Sequence, residues 1–145
     1  MQKRFNNAYA EAFDHSLSSA IFASFLVAFP SRKGVDMIKK SINQWAFAKD
    51  TAKGCMELAK DAGFEAIELA LAEDGDITLN STETEIRALR ETANRIEIEL
   101  ASLATGLFWS YSLTSNDADT RKKALDVAKK ELEVAAWLGV DAILV

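Results

Sequence analysis

The sequence is poor in residues that form covalent cross-links and nucleophilic sites. Its 145 residues include one cysteine, Cys55, so no internal disulfide can form. A lone cysteine is consistent with a reducing, cytoplasmic location. The only histidine is His15, and none follows Met37. Cysteine-based nucleophilic catalysis is therefore disfavoured, since a thiolate nucleophile is usually activated by a nearby base.

Several function classes lack their sequence signals. The 17 basic residues are outnumbered by 22 acidic ones, giving a net charge of −5, which argues against nucleic acid as the main partner. No strand is followed by a G-x-G-x-x-G pattern, and no Walker-type loop occurs, which disfavours nucleotide-binding folds. The longest apolar run, at 20–29, has ten residues, while a membrane-spanning helix needs about 20. We expect neither a nucleic-acid nor a membrane partner.

Residues 1–36 differ from the remainder in character. A basic start and the apolar run resemble a signal peptide, but Glu11 and Asp14 precede the run and no A-x-A cleavage site follows. The alternative is a non-native extension from an upstream start codon, with Met37 opening the protein proper. We therefore predict a non-native, disordered or helical extension over 1–36 and one domain over 37–145.

From Met37 onward, strand and helix patterns alternate. Strands are predicted at 40–47, 65–71, 96–104 and 141–145. The helices between them have candidate N-caps at Asp50, at Thr82 or Asn80, and at Asn116 or Asp117. Two helices end before Gly63 and Gly139. An ungapped internal repeat, AKDAGFEAIEL at 59–69 and AAWLGVDAILV at 135–145, supports this division.

The predicted fold is α/β, in the order β1-α1-β2-α2-β3-α3-β4 with parallel strands. The sheet could be open and doubly wound, or it could be half of a (β/α)₈ barrel. A complete barrel needs about 250 residues, and 37–145 is less than half of that. We predict the N-terminal half of a barrel, a fragment whose open sheet edges can pair with another copy.

Four stretches resemble a known family: SINQWAF, GFEAIELAL, ATGLFWSYSLTS and EVAAWLGVDAILV. They are similar to the sugar and sugar-phosphate isomerase/epimerase family, the xylose isomerase-like barrels that include tagatose and psicose 3-epimerases. The resemblance implies a divalent-metal-dependent isomerase or epimerase of a small sugar or sugar phosphate, acting through an enediolate. Alternatives are a non-catalytic half-barrel assembly module, or a relative with endonuclease-type or dehydratase chemistry.

In the family, two glutamates, an aspartate and a histidine bind manganese or magnesium, and these ligands come from the second half of the barrel. The resemblance therefore implies no catalytic or metal-binding residue in this chain. We expect no metal bound to it, and we expect it to be inactive alone.

The resemblance does imply a sugar-binding wall at the ends of the first three strands, with aromatic side chains packing on the sugar. The candidate substrate-binding residues are Trp45, Phe47, Glu68, Gly106, Leu107, Trp109 and Ser112. Each has a structural alternative. Trp109 could cap the barrel mouth, and Trp45 and Phe47 could pack inside it. Glu68 could pair with a neighbouring strand, and Ser112 could form a turn.

Overall fold

The structure, a computed structural model, describes residues 38–48 and 51–145. The predicted extension at 1–36 and the predicted cap Asp50 lie outside these residues. Within the described part, no helix is both long and apolar enough to cross a membrane.

Four parallel strands form one sheet in the order β1-β2-β3-β4. The strands are β1 Ser41–Asn43, β2 Ala66–Leu71, β3 Glu99–Thr105 and β4 Ile143–Leu144. Consecutive strands lie side by side, and each connection carries a helix, as parallel pairing requires. The predicted parallel β/α repeat is confirmed, with half the strands of a (β/α)₈ barrel.

Three helices connect the strands: α1 Ala52–Asp61, α2 Glu83–Ile96 and α3 Ala118–Leu138. Thr51 caps α1, its hydroxyl accepting a hydrogen bond from the Gly54 N–H at 3.0 Å. Thr82 and Glu85 form a capping box at the start of α2, which decides between the two predicted caps. Asp117 caps α3. Each helix therefore begins at a side chain that satisfies an otherwise unpaired backbone N–H.

The predicted β1, residues 40–47, was wrong at its C-terminal end. The strand stops at Asn43, whose side-chain oxygen accepts a hydrogen bond from the Trp45 N–H at 2.6 Å. A 3₁₀ turn, Gln44–Ala46, follows. Trp45 and Phe47 therefore lie beyond β1 and not within it, because a local side-chain-to-backbone bond replaces the extended backbone.

The predicted start of β3 at residue 96 was also too early. Ile96 is the last residue of α2, and Glu97 follows in a left-handed conformation with φ of 61°. The Ile98 N–H then returns to the Ala93 carbonyl at 3.1 Å. An αL residue can close a helix without glycine at a modest energetic cost, which conceals this boundary in the sequence.

The helices cover one face of the sheet. Alternate residues of β2 (Ile67, Leu69 and Leu71) are fully buried in a single apolar core that includes residues of all three helices. Because side chains alternate across a strand, Ala66, Glu68 and Ala70 face the opposite side. That opposite face is the one that lines the interior of a barrel.

Glu131 interrupts the apolar stripe of α3. It is completely buried, and neither carboxylate oxygen has a hydrogen-bond partner. Its neighbours on the same helical face, Val127, Val134 and Leu138, belong to the core. Removal from water raises the pKa of Glu131 to about 7, because burial disfavours the charged form.

The substitution Glu131→Gln tests this burial through the pH dependence of stability. The pKa of Glu131 is higher in the folded chain than its ordinary 4.5. Below pH 4.5 the carboxyl is protonated in both states, and the free energy of unfolding is at its highest. It falls as the pH rises through about 7, by up to about 3 kcal/mol in all. We expect urea denaturation to show Glu131→Gln gaining on the native chain between pH 5 and pH 8. An equal difference at both pH values would contradict this assignment.

Candidate functional site

Parallel pairing places the C-terminal ends of β1, β2 and β3 on one rim of the sheet. The segments that follow these strands are Gln44–Ala46, residues 72–80 and Leu107–Trp109. In α/β barrels, this rim is where ligands bind. The candidate site is therefore assembled from three segments far apart in the sequence.

Two exposed tryptophans meet at a glycine on this rim. The exposed fraction is 54% for Trp45 and 93% for Trp109. A Cβ atom built on Gly106 would lie 3.9 Å from Cζ2 of Trp45 and 4.0 Å from Cδ1 of Trp109. We call Trp45, Gly106 and Trp109 the tryptophan cleft. Its indole rings offer apolar surface that is open to solvent.

The backbone of Gly106 does not require glycine. Its φ of −87° and ψ of −3° are accessible to any residue, and a Cβ there would make only ordinary van der Waals contacts. What the missing side chain leaves is space between the two indoles.

Glu68 lies in the middle of β2, on the face opposite the helices. The Asn43 side-chain amide donates a hydrogen bond to its Oε1, and the Ser102 hydroxyl donates one to Oε2 at 2.6 Å. Asn43 and Ser102 are its register partners on β1 and β3. The carboxylate therefore links three strands, as the structural alternative proposed. It keeps lone pairs for further donors, since a carboxylate has about four acceptor positions.

A cavity of about 560 Å³ opens beside the tryptophan cleft. Its size falls within the range of small-molecule sites. Its lining residues are Gln44, Trp45, Thr51, Ala70, Ala72, Asp74, Gly75, Asp76 and Ile77. Gln44 accepts a hydrogen bond from the Ala70 N–H at 2.9 Å, and Asp76 accepts one from the Ala52 N–H at 2.6 Å. These two contacts fasten the cavity walls to β2 and to the start of α1.

The loop that carries Trp109 is tied to the loop after β2. The Tyr111 hydroxyl donates a hydrogen bond to Oε1 of Glu73 at 3.2 Å, and this bond together with the Glu73 charge raises the pKa of Tyr111. On α3, Nζ of Lys123 lies 5.7 Å from the centre of the Tyr111 ring, within the range of a cation–π contact. Tyr111 thus connects the aromatic loop to two other elements.

Three other predicted site residues take structural positions. Phe47 is half-buried and packs against the core, and Leu107 is a buried core member. The Ser112 hydroxyl accepts a hydrogen bond from the Thr114 N–H at 3.2 Å and lies 3.1 Å from the Thr114 hydroxyl. These contacts are those of a serine turn, the structural alternative for Ser112.

Four polar residues of the site were not predicted from the sequence: Asn43, Gln44, Ser102 and Asp76. Asn43 and Ser102 each place a polar side chain within a predicted strand, which was a readable signal once Glu68 had been singled out. The contacts of Gln44 and Asp76 depend on loop conformation and left no comparable sequence signal.

The described residues do not fit a divalent metal. No group of three or more histidine, cysteine, aspartate or glutamate side chains is arranged to hold an ion within 38–48 and 51–145. The ligand set that the family resemblance implies has four such side chains, namely two glutamates, an aspartate and a histidine. The metal that the family resemblance implies therefore has no site among these residues.

Comparison with known proteins relates this fold to sugar-converting barrels. The family model for the xylose isomerase-like TIM barrel matches residues 56–145. Over 90 residues the chain is 29% identical to a Haemophilus influenzae protein assigned as an L-ribulose-5-phosphate 3-epimerase. That match covers 61% of this chain and 32% of the relative.

Two solved structures share the fold. One is a D-psicose 3-epimerase in the presence of D-fructose, with a TM-score of 0.57 and 20% identity. The other is D-psicose 3-epimerase with D-tagatose from Clostridium cellulolyticum H10, with a TM-score of 0.58 and 23% identity. Each match covers 73% of this chain and 36% of the other. The chain thus spans about a third of the length of these relatives.

The substitutions Glu68→Ala and Glu68→Gln test the link between the three strands. Alanine leaves the donors of Asn43 and Ser102 without their acceptor, and we expect a loss of about 2 kcal/mol in the free energy of unfolding. Glutamine can still accept from Asn43 and donate to the Ser102 oxygen, so the loss should be about 1 kcal/mol or less. Urea denaturation measures both. Equal losses for the two variants would show that the hydrogen bonds do not stabilise the sheet.

Proposed function

The chain belongs to the xylose isomerase-like TIM barrel family, and we propose that it forms the substrate-holding side of a sugar or sugar-phosphate isomerase/epimerase. The observation that carries the proposal is the tryptophan cleft on the rim of the parallel sheet, beside a cavity of about 560 Å³. Exposed aromatic rings in a concave site are typical of ligand pockets. A ketose offers them C–H faces to pack on and hydroxyl groups for nearby polar atoms.

A small ketose is the proposed substrate. Three similar proteins carry the names of a ribulose-phosphate epimerase and of psicose epimerases. Asp74 and Asp76 line the cavity, and Glu73 adjoins it in the chain. These carboxylates would repel a phosphate group. We therefore propose that the cavity receives the uncharged end of the ketose, and that any phosphate lies away from it.

The described residues are proposed to bind and orient the ketose. Trp45 and Trp109 pack on its apolar faces, and Glu68 is available as an acceptor on the barrel-interior face. The family resemblance implies proton transfer through an enediolate. Proton transfer then falls to groups outside these residues, because Glu68 is already engaged by Asn43 and Ser102. On this view the chain alone binds ketoses without epimerising them.

Tryptophan fluorescence tests the binding of ketoses. The chain has three tryptophans, so in the variant Trp137→Phe the signal comes from Trp45 and Trp109. We expect D-psicose and D-tagatose to change this emission saturably, with dissociation constants on the order of 1 mM for a ligand of about 12 heavy atoms. L-ribulose 5-phosphate shows whether a phosphate is tolerated.

When Trp109→Ala is added to this variant, the saturable change in emission on adding a ketose should disappear. Glycerol at equal concentration controls for solvent effects on the emission. Ligand-observed NMR on the same variant separates lost binding from a lost reporter. Undiminished ketose binding without Trp109 would refute the proposed wall.

The substitution Gly106→Ala tests whether ketose binding depends on the open space beside Gly106 or on the backbone conformation of that residue. Because alanine fits the φ and ψ of Gly106, we expect stability to be unchanged or raised by about 0.4–1 kcal/mol. The added methyl group nevertheless occupies the space between the indoles, so ketose affinity should fall several-fold. Urea denaturation and the fluorescence titration measure the two effects on one sample. A stable variant with unchanged affinity would show that the cleft does not admit the sugar at this point.

A further inference from the structure

Gln44 lies at the point where β1 stops and the cavity begins. In the ladder between β1 and β2, the Ala66 N–H donates to the Lys40 carbonyl at 3.2 Å. Acceptors in a parallel ladder recur at every second residue, so the Ala70 N–H would meet the carbonyl of residue 44 if the strand continued. The backbone turns there, and the Gln44 carbonyl instead accepts from the Phe47 N–H at 3.1 Å.

The side chain of Gln44 replaces its own backbone as the partner of β2. Its Oε1 accepts the Ala70 N–H at 2.9 Å. A backbone N–H can only donate, so the carboxamide must turn its oxygen towards β2. The nitrogen Nε2 is then the end of the carboxamide that remains for a ligand. It has no hydrogen-bond partner within 38–48 and 51–145, and Gln44 lines the cavity.

Nε2 brings a donor to a cavity whose charged side chains can only accept. The charged lining residues are Asp74 and Asp76, and an ionised carboxylate is an acceptor only. Asp76 already accepts the Ala52 N–H at 2.6 Å, whereas Asp74 has no hydrogen bond to another described residue. A sugar hydroxyl group that donates its proton to a carboxylate keeps lone pairs for an N–H donor. Gln44 and Asp74 can therefore satisfy the two halves of one hydroxyl group.

We propose that Gln44 is a specificity-determining residue, whose Nε2 donates a hydrogen bond to a terminal hydroxyl group of the ketose while Asp74 accepts from the same group. The inference rests on the proposed function, in which the uncharged end of the ketose enters this cavity. A sugar without that hydroxyl group leaves the amide donor unpaired, and a site built around such a donor rejects the deoxy analogue. The indole faces of Trp45 and Trp109 pack on C–H groups and do not provide this selection.

Two substitutions in the Trp137→Phe background separate the anchoring contact of Gln44 from its contact with the sugar. Gln44→Glu keeps an oxygen for the Ala70 N–H but replaces the donor by a second acceptor. Its urea midpoint should stay close to that of the parent, while its affinity for D-tagatose should fall by roughly 3- to 10-fold. Gln44→Met loses both contacts, so its urea midpoint should also fall, by roughly 0.5–1 M.

Asn94→Asp is the matched control, because it makes the same amide-to-acid change at an exposed position. Asn94 lies in the last turn of α2, which ends where β3 begins, on the rim opposite the cavity. Its affinity for D-tagatose should equal that of the parent.

Two monodeoxy sugars test the contact with the hydroxyl group itself. In the fluorescence titration, 1-deoxy-D-tagatose and 6-deoxy-D-tagatose each lack one terminal hydroxyl group. We expect the parent to bind one of them roughly 10-fold more weakly than D-tagatose, since both hydrogen bonds of that group are lost. In Gln44→Glu only the contact with Asp74 remains to be lost, so the same comparison should give a difference of about threefold or less.

Undiminished affinity of Gln44→Glu for D-tagatose overturns the inference, and so does a deoxy penalty of equal size in the two chains. A loss of affinity confined to Gln44→Met would show that Gln44 acts only by holding the turn that carries Trp45. In each of these outcomes the parent still binds ketoses, and the proposed function stands. A parent that binds no ketose overturns both proposals, so the two failures are distinguishable.

Discussion

Parallel pairing of β2 between β1 and β3 is the constraint on which the remaining features depend. Parallel neighbours need a crossover, and the crossovers here are helices that cover one face of the sheet. β2 then needs apolar side chains towards the helices. In its sequence Ala-Ile-Glu-Leu-Ala-Leu, the isoleucine and both leucines face the helices, and the two alanines and Glu68 face the barrel interior. The same parallel direction brings the three strand ends to one rim, where Trp45 and Trp109 meet.

Glu68 and Glu131 show how position decides the behaviour of a carboxyl group that lies within an apolar pattern. Glu68 is flanked by strands that each supply a side-chain donor, so each of its oxygens accepts one hydrogen bond within the sheet. Glu131 faces the core from α3, where its neighbours are apolar and neither oxygen has a partner. Burial without a partner raises the pKa of Glu131 and favours its neutral form. Glu68 therefore contributes to sheet cohesion, whereas Glu131 makes stability depend on pH.

The order of strands and helices could be predicted because local signals and the internal repeat agree. Gly63 and Gly139 mark helix ends with positive φ, and Thr82 with Glu85 marks a helix start. The end of β1 could not be predicted, since the strand pattern continues through Trp45 and Phe47 while the Asn43 side chain turns the backbone. Hydrophobic periodicity records which residues are apolar, and it does not record such local hydrogen bonds.

The candidate site was only partly accessible from the sequence for a related reason. Trp109 and Gly106 stand out because an apolar, aromatic loop in an acidic chain is unusual, whereas the nearness of Trp45 depends on the 3₁₀ turn that no pattern announced. Leu107 and Trp109 are two residues apart, yet one is buried and the other is 93% exposed. Within a short 3₁₀ helix, side chains two positions apart point in different directions. The backbone turn thus places the leucine in the core and leaves the indole at the rim beside Gly106.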